Sequence, residues 1–280
     1  MFPLRDHNPS LRTPVVTWAL IAINVIVFLS YFPSIGGQEP LIMAFYDRWA
    51  FVPAEATRGQ EMHTILTSMF LHGGWMHIIG NMLFLYIFGD NLEDQFGHVG
   101  YLLFYLAGGV AAALAQMAAN PYSNVPMVGA SGAIAGVMGG YLLLFPRARV
   151  DVALIIFVIV KIVTVPAWLM LGLWFGFQLV NGAVSTGDGG GVAYWAHAGG
   201  FIAGVVLTLP AWLRRGGAGF WSQTHGRPPY DETIYPATHR TVIPTVGRRP
   251  RRSVPSDPTR VPRAGRRRPS RGSPWGGGSR

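Results

Sequence analysis

The sequence predicts an all-α, polytopic membrane protein, a bundle of six transmembrane helices, on three observations. Half of the 280 residues are hydrophobic and only 12% are charged, about half the charged fraction of a soluble domain. Apolar segments run over residues 14–32, 68–88, 99–119, 131–145, 166–183 and 192–212; in lipid, each must satisfy its own backbone polar groups, which a helix does. Arg5 and Arg12 precede the first segment, Arg147 and Arg149 follow the fourth, and Arg214 and Arg215 follow the sixth. The positive-inside rule puts all three sites in the cytoplasm, which an even number of spans satisfies with both termini inside. The expected location is the inner (plasma) membrane of the cell.

Residues 1–13 form a short cytoplasmic segment. The first span follows Arg5 and Arg12 and lacks a small-x-small cleavage pattern at its far end, so it is read as retained rather than as a signal peptide. The loop from Pro33 to Thr67 carries Phe45, Tyr46, Trp49 and Phe51 among Pro, Asp and Glu and is expected to rest in the outer interface. The fourth span, about 15 residues or 22 Å long, is shorter than the roughly 30 Å hydrocarbon core. Ser131 at its start is therefore expected in a protein-lined recess. The stretch 150–165 is β-branched, carries Asp151 and Lys161 and runs into Pro166; it is read as lying at the bundle edge or interface. A seventh span there would put Ser131 and His197 on opposite faces.

Residues 14–212 thus make the membrane domain, and 213–280 a tail. The tail holds fifteen arginines against Asp231, Glu232 and Asp257, a net +12. Rich in Gly, Pro and Arg, it is expected to be disordered and drawn to anionic lipid. No zinc-finger or RNA-binding motif points to a specific nucleic acid. Without cysteine, the chain has no disulfide, Cys-ligated zinc or thiol nucleophile, and no cofactor or metal is expected.

The polar residues inside the spans carry the chemistry. Ser131, in Gly129-Ala130-Ser131-Gly132, and His197, in Ala196-His197-Ala198-Gly199-Gly200, offer a nucleophile and a base. Neither span has an acid to orient the imidazole, so the pair is a dyad. His77 and Asn81 are four apart, on one helical face, whereas His72 is turned away. Imidazole and amide donors on one face, with the Ser131 N–H, suit an oxyanion. Gly200 and Gly204, near the face of His197, and Gly132, Gly136 and Gly140 form two small-residue stripes that let backbones approach closely.

These motifs resemble those of the rhomboid family of intramembrane serine proteases, bacterial type, over about residues 14–212. The matching pieces are His72, His77 and Asn81 in the second span, Gly129-Ala130-Ser131-Gly132 opening the fourth, and Ala196-His197-Ala198-Gly199-Gly200 with Gly204 in the sixth. The resemblance implies a rhomboid-like six-helix bundle that cleaves peptide bonds in or beside transmembrane segments of single-span or polytopic substrates, through an acyl-enzyme. It implies Ser131 as nucleophile, His197 as base and then acid, His77 and Asn81 with the Ser131 N–H as oxyanion donors, His72 as support and Gly129 as the residue allowing a tight loop. It further implies cleavage near helix-destabilising residues, with lateral access past spans two and five, the latter carrying Trp168, Trp174 and Phe175. The chain departs from the family where Trp-Arg commonly precedes span two, since it reads His63-Thr64, with Arg48-Trp49 earlier. It departs again four residues after the serine, where an aromatic commonly packs on the imidazole and Ala135 stands here. Support for His197 is then expected from Tyr141 or from span five. A catalytically silent relative that binds transmembrane helices is the second reading, and a transporter the third.

Overall fold

The computed structural model describes residues 2–156, 159–185, 192–229 and 231–235. A short strand, β1 (Phe2–Asp6), leads to helix α1 (Val15–Ile35). Thr17, Leu20, Asn24, Phe28 and Tyr31, spaced by three or four, form its buried stripe. Trp18, Ile23, Ile26 and Leu29 are exposed on its other side, an apolar surface suited to lipid. Three short helices, α2 (Glu39–Trp49), α3 (Pro53–Thr57) and α4 (Thr64–Thr67), and a 3-10 turn over Ser68–Phe70 fold the following loop.

Helix α5 (Trp75–Ala119) has 45 residues, which would extend about 67 Å if straight. It breaks at Gly97, whose φ of 68° and ψ of 168° leave the helical region for one that favours glycine. The two halves fold back on each other. Gly89 and Tyr101, about 18 Å apart along a straight helix, are in contact: a Cβ on Gly89 would lie 2.6 Å from Tyr101 Oη. Helix α6 (Ser131–Leu144) is short and central, with every residue from Gly132 to Tyr141 buried. Two strands, β2 (Arg149–Ile156) and β3 (Ile159–Pro166), precede helices α7 (Ala167–Val184), α8 (Tyr194–Arg214) and α9 (Ala218–Thr224). By length and composition α1, α5, α7 and α8 can cross a membrane, and α6 is a shorter apolar helix among them. The architecture is a polytopic helical bundle.

Small residues let α6 and α8 meet backbone to backbone. A Cβ on Gly200 would strike the Gly132 carbonyl oxygen, and one on Gly204 the Gly136 carbonyl oxygen. Close approach of this kind maximises dispersion contact where apolar burial provides no drive, as between helices in lipid. Away from the seam, Phe88, Tyr101, Phe104, Tyr105, Met138 and Tyr141 fill the core around α6.

Residues 150–156 and 159–165 lie in two paired β-strands. β2 and β3 pair antiparallel from Val150↔Val165 to Ile156↔Ile159, and β1 adds to β2 with Phe2↔Ala153 and Asp6↔Val150. The sequence expectation of an edge or interface segment omitted this sheet, although its β-branched run suits a pleated surface. Asp151 ties it together: its carboxylate accepts from Arg5 Nε at 2.9 Å and Thr164 Oγ1 at 2.6 Å, and pairs with His7 Nε2 at 2.9 Å. Thr233 N–H donates to the His7 carbonyl at 3.1 Å, and the Arg5 guanidinium lies 3.7 Å from the Tyr235 ring centroid. Trp221 Nε1 donates to the Leu143 carbonyl at 2.9 Å. Among residues 213–229 and 231–235, read from composition as the start of a disordered tail, Trp221, Thr233 and Tyr235 are therefore anchored to the rest of the protein. Residues 236–280, with the arginine clusters, lie outside the described residues.

The sheet makes acid stability testable. Burial alone would raise the Asp151 carboxyl, but hydrogen bonds from Thr164, His7 and Arg5 outweigh it and hold its pKa down at about 2. An unfolded aspartate titrates near about 3.9. The resulting stabilisation, about 2 kcal/mol, is present above pH ~4 and lost as pH falls toward ~2. Asp6, pushed up by burial and by nearby Asp90, tilts the other way, so a comparison with Asp151→Asn isolates the term. The parent should exceed Asp151→Asn in detergent melting temperature at pH 6, and the gap should narrow steadily to pH 2.5. A constant gap would remove Asp151 as its source.

Candidate active site

Ser131 opens α6 and His197 lies in the first turn of α8. The glycine seam between these helices brings Ser131 Oγ to 2.8 Å from His197 Nε2. On the other side of the ring, His197 Nδ1 is 2.9 Å from Gln178 Oε1. Gln178 is 4% exposed, and its own Nε2 donates to the Trp174 carbonyl one turn back on α7, at 3.2 Å. With the amide nitrogen so engaged, Oε1 is the atom offered to the imidazole. His197 then carries its proton on Nδ1 and presents a bare Nε2 to the Ser131 hydroxyl.

His77 is oriented by the same logic. Its Nδ1 lies 3.2 Å from the Gly73 N–H, which can only donate, so the proton sits on Nε2. That Nε2 lies against Gly129: a Cβ there would be 2.9 Å from His77 Nε2 and 3.5 Å from Ser131 Oγ. Gly129 has a φ of +132°, so glycine is required twice over, by conformation and by space. Its N–H donates to the Ser68 carbonyl at 2.9 Å, while Phe51 and Met127 exchange backbone hydrogen bonds of 3.1 and 2.8 Å. The segment before the nucleophile is thus fastened to the loop between α1 and α5.

Asn81 lies a turn below His77, and its Nδ2 is buried with no hydrogen-bond partner among the described residues, a costly state for an amide donor. His77, Asn81, Ser131 and His197 all line one cavity of about 630 Å³. His72 is fully buried behind it: its ring meets that of His77 edge-on at 5.1 Å, and its backbone N–H and carbonyl both bond the Tyr31 hydroxyl at 2.7 Å. Gly132 faces Ala112, whose Cβ would be 2.5 Å from an added one. Gly200 and Gly204 occupy the α6–α8 seam.

The two expected sources of support for His197 resolve differently. The Tyr141 hydroxyl donates to Asp6 Oδ2 at 2.8 Å, away from the imidazole, whereas α7, the fifth apolar segment, supplies Gln178. Ala135 is fully buried, and the aromatic neighbour of His197 is Trp174, with ring centroids 5.7 Å apart and planes inclined by 34°. Phe175 stacks on Phe201 at 4.6 Å, so of the aromatics expected at a lateral opening only Trp168 is exposed. Sequence reading did not single out Gln178. An amide inside an apolar helix, one turn from Trp174, was the available signal.

A family profile described as Rhomboid domain matches residues 59–214. The chain is 29% identical over 206 residues to Rhomboid protease GluP of Bacillus subtilis, covering 70% of the chain and 36% of that protein. It is 28% identical over 198 residues to the mitochondrial Rhomboid protein 1 of Saccharomyces cerevisiae, covering 68% and 51%. With Rhomboid-related protein 2 of Mus musculus it shares 32% over 150 residues, covering 53% and 47%. The chain spans between about a third and a half of the length of these curated relatives.

Proposed function

As the chain belongs to the rhomboid family, we propose that it is an intramembrane serine endopeptidase that cuts peptide bonds in or next to transmembrane segments of other membrane proteins. The main support is the 2.8 Å contact between Ser131 Oγ and His197 Nε2, in a cavity that also presents a buried amide donor with no partner among the described residues. In this mechanism Ser131 Oγ attacks the scissile carbonyl carbon while its proton passes to His197 Nε2. The carbonyl oxygen, now an anion, is held by His77 Nε2–H, Asn81 Nδ2–H and the Ser131 N–H at the head of α6. As the tetrahedral intermediate collapses, the C–N bond breaks and His197 returns the proton to the leaving amine. A water, deprotonated by the same Nε2, then hydrolyses the ester on Ser131.

Counting α5 as two spans about Gly97 and α6 as one short span gives six with α1, α7 and α8, with both termini cytoplasmic in an inner (plasma) membrane. The membrane domain is 14–212. The cavity beside Ser131, lined there by Gly129, Gly132 and Ala196, suits a small residue at the cut.

The test is cleavage of a fluorescent single-span substrate by the purified protein in liposomes, with a serine-reactive fluorophosphonate as probe. Cleavage, blocked by one adduct mapped to Ser131, is the expected result. Substrate binding with neither cleavage nor adduct would replace this reading with the silent helix-binding one, and solute flux that needs His197 alone would favour transport.

Gly129→Ala should lower cleavage by about 10²-fold, since displacing His77 by even ~1 Å misaligns the oxyanion site. The bundle's melting temperature should stay within a few degrees of the parent's. Undiminished kcat would separate His77 from oxyanion binding.

A further inference from the structure

We infer that Gln178 is a positioning residue for His197, and that with Trp174 it makes α7, rather than α6, the support of the catalytic imidazole. The inference rests on the protease reading above and extends it from a dyad to a Ser131–His197–Gln178 chain of hydrogen bonds. Three observations converge on it. Gln178 is a buried polar residue beside exposed apolar neighbours: Phe177 is 60% and Val180 62% exposed. Its amide is oriented from both ends, by the Trp174 carbonyl at 3.2 Å and His197 Nδ1 at 2.9 Å. One turn away, Trp174 lies against the same ring at 5.7 Å, where the position four after Ser131 holds Ala135 and has no ring to offer.

The chemistry follows from tautomers. Free neutral imidazole favours the proton on Nε2, the form that cannot accept from Ser131. An acceptor fixed at Nδ1 selects the opposite form, and the neutral amide oxygen also stabilises the imidazolium formed when Nε2 takes the serine proton. A glutamine does this without placing a charge in the apolar interior, where a carboxylate would be costly. Around His197, α6 contributes Ser131, α7 the neutral Gln178 and Trp174, and α5 the titratable His77, which lines the same cavity.

The test compares the parent with Gln178→Leu and Gln178→Glu in liposomes, reading kcat, KM and the pH profile. Leu should lower kcat by about 10- to 100-fold with KM within about two-fold, and move the rising limb of kcat to lower pH because the imidazolium loses an acceptor. Glu should keep kcat within several-fold and move the limb to higher pH. A role confined to packing would not shift the limb in opposite directions, so coincident limbs in the three proteins would overturn the inference. If Leu does not fold, the shift in Glu alone decides. The ¹⁵N shifts of His197 at pH 8 read the tautomer without any cleavage: Nδ1–H in the parent is expected, and Nε2–H would overturn the inference. A parent that cuts nothing yet shows the Nδ1–H form would sink the protease reading and leave the positioning intact.

Discussion

Ser131→Ala should abolish cleavage of a single-span substrate, by at least ~10³-fold, while the bundle stays folded. The hydroxyl is the only atom lost, and with it one hydrogen bond to His197, worth about 1 kcal/mol of stability. His197→Ala should be equally inert, and the double variant no worse than either, because nucleophile and base act as one unit. The measurement is initial rate against protein concentration, with melting temperature and size-exclusion profile recorded on the same samples. Residual cleavage above a percent in folded Ser131→Ala would assign the reaction to another nucleophile.

Gly204→Val should act in the opposite way, on the fold before the chemistry. A Cβ at Gly204 would run into the Gly136 carbonyl oxygen and lie 2.6 Å from the Gly136 Cα, and a backbone cannot swing aside as a side chain does. The α6–α8 seam must open, at a cost upward of about 3 kcal/mol, and Ser131 and His197 part with it. Loss of the folded species in detergent is expected, with cleavage lost in proportion. Gly172→Ala on α7, where an added Cβ meets nothing within 4 Å, is the matched control and should gain up to about 1 kcal/mol from helix propensity. Equal melting temperatures for Gly204→Val and the parent would show that the seam tolerates separation.

Much of the bundle was legible because hydropathy speaks for each span singly. The segments at 14–32, 166–183 and 192–212 became α1, α7 and α8 with ends shifted by one to three residues. The second and third segments emerged as one helix broken at Gly97, because the polar stretch between them, from Asp90 to Gln95, is itself helical. The sheet was not legible, because β1 finds its partner about 150 positions away and a β-branched run carrying Asp151 fits an interface as well as a strand. The contacts of Trp221, Thr233 and Tyr235 were hidden for a similar reason: they are single anchors in a Gly- and Pro-rich background. At the site, Ser131, His197, His77 and Asn81 stood out as polar groups in apolar spans and line one cavity. Gln178 did not, since a glutamine bonding its own i−4 carbonyl is what any helix would allow, and only the fold shows where its oxygen points.

The three-stranded sheet also sets an order of assembly. During synthesis β1 precedes its neighbour β2, which follows only after α1, α5 and α6, and Thr233, which bonds His7, comes later still. β1 must wait with an open edge until β2 has been made. Its closure therefore depends on the intervening helices having already found their places, and protease resistance of residues 2–8 in stalled nascent chains would report when the sheet has closed.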